Sequence, residues 1–212
     1  MGLHELSEIT PKMFISTWWT AKDYNKIKSA GITHILSIYP QAKQIRESHE
    51  IILRNQLKTH FVDTGVTYKT ITDLNDIFLP EEVEVFHDSI SECNEFIHSA
   101  MLQENAKILI HCQAGISRSV SMAIVYFLTV FYSIQKSIPK LEKLEALRNG
   151  SVVRYTSPSC THELIQKKRR YASSKFLPAL EDFVKSDRLM EENFELKIEL
   201  DFAKKIYSSL AE

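Results

Sequence analysis

The stretch "ILIHCQAGISRSVSMAIVYFL", Ile108 to Leu128, decides the fold. It begins with an apolar, β-branched run that predicts a buried strand, and it ends with a longer apolar run that predicts a helix over about 119–132. A short polar loop lies between them, beginning at Cys112 and ending at Arg118. A buried structural cysteine has no need of such polar neighbours. The stretch therefore predicts a strand, a functional loop and a helix in direct succession.

The composition is that of an ordinary globular protein. The 212 residues are 44% hydrophobic and 25% charged, which suits one domain with an appendage. The formal net charge of −1 predicts no general attraction to nucleic acid or to an anionic membrane, and no apolar run approaches the roughly 20 residues that span a bilayer. Leu6 stands where a myristoylation motif carries Ser or Thr. We therefore expect neither nucleic acid nor membrane as a partner.

The cysteines and one basic run bear on location. Cys93, Cys112 and Cys160 form no even-numbered disulfide framework, which favours a reducing intracellular compartment. The expected location is the cytoplasm, with the nucleus as an additional compartment. Cys93 lies on the apolar stripe of a predicted helix and is expected in the core, a redox partner of Cys112 being the alternative. "KKRR", Lys167–Arg170, is typical of a solvated helix face. A nuclear import signal or a docking patch for acidic substrates is the alternative there.

Strand and helix patterns alternate along the chain, which predicts an α/β architecture. Trp18 and Trp19 are expected to pack the first strand against its helix, and an aromatic wall beside a binding cleft is the alternative. Short apolar runs stopped by turn residues predict strands, and apolar positions three or four apart predict helices. The predicted strands lie in "PKMFIST", "ITHILSIY" and "KTHFVDTGVTYKTITD", and the predicted helices cover "AKDYNKIKSAG", 80–104, 119–132, "SIPKLEKLEALRNG" and "CTHELIQKKRRYA".

The loop between Cys112 and Arg118 has the composition of an anion site. A loop that leads from a strand into a helix N-terminus can turn its backbone N–H groups inward, and the helix dipole adds to this positive field. Gly115 occupies the middle of the loop, where a Cβ would hinder a close turn or a positive φ. Arg118 supplies a planar fork that binds two phosphate oxygens at once. The expected ligand is a phosphate group.

The same positive field favours the thiolate form of a cysteine. Cys112 is therefore the candidate nucleophile, and covalent catalysis would divide a difficult hydrolysis into two easier steps. We expect His111 to orient the loop through hydrogen bonds rather than to act as a base. Ser119 is placed to donate a hydrogen bond to the sulfur when the thiolate departs.

The motif "HCQAGISRSV" follows the run "KILI", and "GITHILSI" lies upstream of both. With these stretches, the sequence resembles the dual-specificity branch of the cysteine-dependent protein phosphatases over about residues 7–172. The resemblance implies a fold like that of protein tyrosine phosphatases, with a central mixed, mostly parallel sheet flanked by helices. It implies a phosphocysteine at Cys112, assistance from Ser119, and neither a metal nor another cofactor. It also implies that the phosphate is held by Gln113, Ala114, Gly115, Ile116, Ser117 and Arg118.

The family also uses an aspartic acid on a separate loop to protonate the leaving oxygen. In the family this residue follows an alternating strand with the pattern Y-x-x-I, which "TYKTITDLNDIF" matches. Asp73 comes first after that pattern and is the favoured acid. Asp76 is the alternative, because the segment before the long helix is longer than is usual in the family.

The chain is expected to divide near Ala172 into a catalytic domain, 1–172, and a C-terminal extension, 173–212. Within the extension, "FELKIELDF" alternates like a strand, yet it consists largely of helix formers and has helical flanks. We expect the extension to be mainly helical, and it is a candidate for contact with a partner.

The predicted activity is hydrolysis of phosphotyrosine and of phosphoserine or phosphothreonine in phosphoproteins. The variable loop positions carry no lysine, whereas related phosphoinositide phosphatases use lysines there to hold additional phosphates. A non-catalytic phosphoprotein-binding module is the alternative, although Cys112 and Arg118 are both present. A rhodanese-like or arsenate-reductase-like thiol enzyme is less compatible with the full HCxxGxxRS pattern in the middle of the chain.

Overall fold

The structure is a computed structural model that describes residues 5–40, 65–72, 74–75, 80–137 and 157–185, with Phe202, Lys205, Ile206 and Ser209. The predicted helices "SIPKLEKLEALRNG" and "FELKIELDF" lie almost entirely outside the described residues, as does the first part of "KTHFVDTGVTYKTITD".

A five-stranded sheet forms the centre of the molecule, in the order β1-β2-β5-β3-β4. Strands β1 and β2 are antiparallel, and the other three neighbouring pairs are parallel. The sheet is therefore mixed and mostly parallel, as predicted. The strands are β1 Ser7–Thr10, β2 Met13–Thr17, β3 His34–Ile38, β4 Thr67–Ile71 and β5 Ile108–Cys112.

Helices cover both faces of this sheet, which explains why its central strands are apolar on both sides. Helices α1 and α2 lie on one face, and α3, α4 and α5 on the other. The helices are α1 Trp18–Ala21, α2 Tyr24–Ser29, α3 Pro80–Leu102, α4 Arg118–Ser137, α5 Pro158–Lys168 and α6 Leu177–Lys185. None of the helices in the described part of the chain has the length and apolar character needed to span a bilayer.

Strand β5 and helix α4 form the interior of the molecule. All five residues of β5 are buried, as is every residue of α4 from Arg118 to Phe131. A helix that is buried on all sides must be apolar on all sides, which accounts for the sequence of α4. The loop between β5 and α4 is thus held at both ends by elements that cannot move without disturbing the core.

The two adjacent tryptophans behave differently. Trp18 is buried, whereas Trp19 is 63% exposed. The prediction that both pack the first strand against its helix is therefore wrong for Trp19. Successive residues of the short helix α1 point in different directions, so only one of the two indoles reaches the core.

Several residues beyond position 172 pack against the same core as α4. Phe176, Leu180 and Ile206 are buried in it, and the ring of Phe176 stacks on that of Phe86 with centroids 4.5 Å apart. Helix α6 shows that part of the extension is helical. The division of the chain at Ala172 remains a prediction.

Candidate active site

Cys112 is the last residue of β5, at the edge of the sheet where the parallel strands have their carboxyl ends. Its register partner is Thr17, the last residue of β2. The Cys112 side chain is buried, and its Sγ lies 3.4 Å from the Oγ of Ser119 in the first turn of α4. Ligand sites of open α/β sheets occur at this carboxyl edge. The sequence-predicted nucleophile and its predicted assistant are therefore in contact.

The loop from 113 to 117 makes a close turn at Gly115. Its φ is +64°, a conformation that residues with a side chain rarely adopt. A Cβ at this position would lie 2.2 Å from the carbonyl oxygen of Ser16 and 2.6 Å from a guanidinium nitrogen of Arg169. Glycine is thus required both by the backbone conformation and by the space. The side chains of Gln113 and Ala114, just before this turn, are exposed.

Arg118 connects the loop to the segment that follows β4. The side chain is buried, and its Nη1 donates a hydrogen bond to the carbonyl oxygen of Leu74 at 3.3 Å. Its Nε is buried and has no hydrogen-bond partner among the described residues. Asp73 and Asp76, the two candidate acids, lie outside the described residues. Their chain neighbours Leu74 and Asn75 are both buried.

His111 is fully buried beneath the loop in a chain of hydrogen bonds. Ser37 Oγ donates to the hydroxyl of Tyr68 at 2.6 Å, so it accepts from His111 Nε2, 2.5 Å away. Nδ1 lies 3.3 Å from the carbonyl oxygen of Cys112. Burial lowers the pKa of His111 to about 4, although the Cys112 carbonyl opposes this by accepting from the second N–H of the cation. The ring is therefore neutral at neutral pH and is anchored to the sheet.

The structure brings to the loop a residue that the sequence analysis missed. Arg169, within "KKRR", is buried, and it donates to the carbonyl oxygens of Gly115 at 2.6 Å and Ala114 at 3.3 Å. The prediction of a solvated face is wrong for this residue, while Lys167 and Arg170 are exposed. No helical spacing signals this burial, because α5 ends at Lys168 and the backbone of Arg169 is extended, with φ −135° and ψ 91°.

The other two cysteines, Cys93 and Cys160, lie on helices α3 and α5. Cys93 is fully buried on the apolar face of α3, in the core, and burial raises the pKa of its thiol. Cys160 lies near the N-terminus of α5 and is partly exposed. No group of three His, Cys, Asp or Glu side chains within the described ranges is arranged to hold a metal ion.

Comparison with curated proteins identifies related sequences. The chain is 31% identical to dual specificity protein phosphatase 22 of Xenopus tropicalis over 125 residues, which cover 59% of this chain and 49% of that protein. It is 27% identical to dual specificity protein phosphatase 15 of Mus musculus over 178 residues, which cover 81% of this chain and 64% of that protein. The chain thus spans about half to two thirds of the length of these relatives.

Comparison with solved structures and family models agrees with the sequence matches. The crystal structure of DUSP15 matches with a TM-score of 0.56 at 23% identity, covering 89% of this chain and 96% of that one. This likeness confirms the predicted fold class. The family model described as "Dual specificity phosphatase, catalytic domain" matches residues 13–170, well over half of the sequence. The chain belongs to the dual-specificity phosphatase family.

Proposed function

We propose that this protein hydrolyses phosphate monoesters on phosphotyrosine and on phosphoserine or phosphothreonine of proteins, through a phosphocysteine and without a metal. The observation that carries the proposal is the position of Cys112. Its sulfur lies at the carboxyl edge of the parallel strands, beside a helix N-terminus, 3.4 Å from Ser119 Oγ. That environment favours the binding of an anionic substrate beside the sulfur.

In the first step, the Cys112 thiolate attacks phosphorus. A sulfur–phosphorus bond forms as the ester oxygen–phosphorus bond breaks, and the leaving oxygen takes a proton from an aspartic acid, Asp73 in our assignment and Asp76 in the alternative. The backbone N–H groups of 113–117 and Arg118 hold the phosphoryl oxygens. The buried Arg118 Nε, which lacks a partner among the described residues, supports this role.

In the second step, water attacks the phosphocysteine and gives its proton to the same carboxylate. The sulfur–phosphorus bond breaks, and its electron pair returns to Cys112 as a thiolate. The hydroxyl of Ser119 donates a hydrogen bond to this sulfur and stabilises it as it departs, which the 3.4 Å contact supports. His111 takes no proton in either step, because burial keeps the ring neutral.

Proteins are the proposed substrates, and the cytoplasm is the proposed compartment. The exposed loop side chains Gln113 and Ala114 are uncharged and offer no cation to a second phosphate. This favours a singly phosphorylated side chain over a multiply phosphorylated lipid headgroup.

Hydrolysis of an aryl phosphate and of phosphopeptides in excess EDTA tests the proposal. Wild-type protein should turn over, Cys112→Ser should not, and Cys160→Ser, changed away from the loop, should match wild type. Phosphopeptide binding by wild-type protein without turnover would favour a non-catalytic binding module instead. Full activity of Cys112→Ser would refute the mechanism.

A further inference from the structure

The carbonyl oxygens of the phosphate loop, residues 113–117, are bonded from outside. The backbone N–H of Trp18 donates to Gln113 O at 3.1 Å, and that of Ser173 donates to Ile116 O at 2.8 Å. The two central carbonyls, those of Ala114 and Gly115, accept from one side chain, the guanidinium of Arg169. A backbone donor holds each end of the loop, and Arg169 holds its middle.

These bonds determine the direction of the amide groups. In a planar trans peptide, the C=O and the next residue's N–H point in opposite directions. When Arg169 holds Ala114 O and Gly115 O on the outer side, the N–H groups of Gly115 and Ile116 must point to the inner side. We propose that Arg169 is a positioning residue for the phosphate loop, one that presets two central amides toward the phosphate. The inference rests on the proposed function and deepens it.

The guanidinium is itself fixed by the sheet. Nη1 donates to Ser7 Oγ in β1 at 2.9 Å, and Ile15 O and Glu5 O lie farther from it, at 3.4 and 3.5 Å. One side chain therefore ties the loop to β1 and β2. Only a planar fork with several donors satisfies this many acceptors in different directions, whereas an ammonium group has three donors on one atom.

The charge of Arg169 has an unusual setting. The side chain is buried, and no carboxylate in the described part of the chain lies within ion-pair distance of it. Burial lowers the pKa of Arg169, and the negative charge of Cys112 raises it. A buried cation that faces neutral carbonyls is costly unless an anion is held nearby, and a phosphate bound in the loop would be such an anion.

The segment that follows Arg169 along the chain also contacts the end of the loop and the start of α4, but through uncharged groups. Lys175 N donates to Ser117 Oγ at 3.1 Å, and Ser174 Oγ lies 2.6 Å from Ser121 Oγ in the first turns of α4. Neither contact involves Arg169, so both are expected to remain when Arg169 is replaced. We therefore expect Arg169 variants to fold with the loop present but its central amides misdirected.

The test uses the full chain with Arg169→Lys and Arg169→Met, and with Arg170→Met at the exposed neighbouring position as a matched control. The dissociation constant for orthovanadate should rise about tenfold or more in both Arg169 variants, since hydrogen bonds from a charged donor are lost. Orthovanadate at a fixed concentration should protect Cys112 from alkylation by iodoacetamide in the wild type and far less in both Arg169 variants. Arg170→Met should match wild type in both measurements.

A folded Arg169→Met that binds vanadate, and is protected by it from alkylation, like wild type would overturn the inference, as would wild-type vanadate affinity in Arg169→Lys. If neither variant folds, Ser7→Ala becomes the test, because it removes only one anchor of the guanidinium. Weaker vanadate binding in Ser7→Ala would support the inference, and unchanged binding would overturn it. Wild-type protein that neither binds vanadate nor hydrolyses phosphate would instead contradict the proposed function.

Discussion

The sulfur of Cys112 and the hydroxyl oxygen of Ser119 are 3.4 Å apart, although seven positions separate them in the chain. Cys112 ends the central strand and Ser119 lies in the first turn of the central helix, so the contact spans the whole phosphate loop. Both side chains are buried. The hydroxyl is thus preset toward the sulfur at no further cost in side-chain order during the reaction.

Ser119→Ala should slow the second chemical step more than the first. Without the hydroxyl, the departing thiolate loses a hydrogen bond, and we expect turnover to fall about tenfold or more. The rate at which the phosphocysteine forms should change little, because the sulfur acts as the nucleophile in that step and does not depart. Rapid mixing with an activated aryl phosphate should show a burst of product followed by slow turnover. Ser99→Ala, at an exposed position of helix α3, is the control. A variant without a burst, slowed equally in both steps, would contradict this role.

Gly115→Ala should abolish phosphate binding. The added Cβ would lie 2.2 Å from the Ser16 carbonyl oxygen, so either the loop or the end of strand β2 must shift. Gly65→Ala is a matched control, because Gly65 also has a positive φ, +75°, yet nothing lies within 4 Å of its added Cβ. That control should lose about 1–2 kcal/mol of stability from backbone strain and keep its activity. Equal activities of the two variants would show that the close approach is unimportant.

Two aspartates compete for the role of acid, and the leaving group separates them. Protonation matters most for a poor leaving oxygen, such as that of phosphoserine, and least for an activated aryl phosphate. Asp73→Asn should therefore lose far more activity on phosphopeptides than on the activated ester, and should lose the alkaline limb of its pH–rate profile. Asp76→Asn should show a mild effect that is the same for all substrates. The reverse pattern would assign the acid to Asp76.

His111 should make stability depend on pH. Its pKa is lowered from 6.5 to about 4 in the folded protein, so between these values the unfolded chain binds more protons. The contribution of His111 to stability is therefore fully present above pH 6.5 and is lost as the pH falls toward 4, with a slope of at most about 1.4 kcal/mol per pH unit.

Urea unfolding at a series of pH values measures this slope. His111→Asn should be less stable than wild type near neutral pH and should show a shallower decline toward acid. His162→Asn, a partly exposed histidine on α5, controls for the general effect of removing an imidazole. Identical slopes in wild type and His111→Asn would mean that the ring titrates normally in the folded protein.

Sequence patterns predicted the elements that are apolar and long. Helix α3 was predicted from its spacing, and Phe86, Ile90, Cys93, Ile97 and Met101 are all buried on it. Strand β5 and helix α4 were predicted because burial on every side leaves a continuous apolar signal. Strand β1 was missed, since four residues with one exposed side chain carry too little pattern to stand out.

The chemistry of the loop was predictable because its residues are contiguous. Arg169 was not, since its contacts with Ala114 and Gly115 join positions 55 and 54 residues apart. Within "KKRR", Arg169 is one basic residue beside others that are exposed, such as Lys167 and Arg170, so its residue type does not distinguish it. Only packing of the end of α5 against the loop distinguishes this arginine from Arg170.

The central claim is that Cys112 carries the phosphoryl group during turnover. The direct test is to mix wild-type protein with an activated aryl phosphate, quench in acid within the burst, and map the modified peptide by mass spectrometry. We predict one added phosphoryl group on Cys112, increased in Ser119→Ala and absent in Cys112→Ser, with Cys93 and Cys160 unmodified. Turnover without phosphate on Cys112, or phosphate on another residue, would contradict the account.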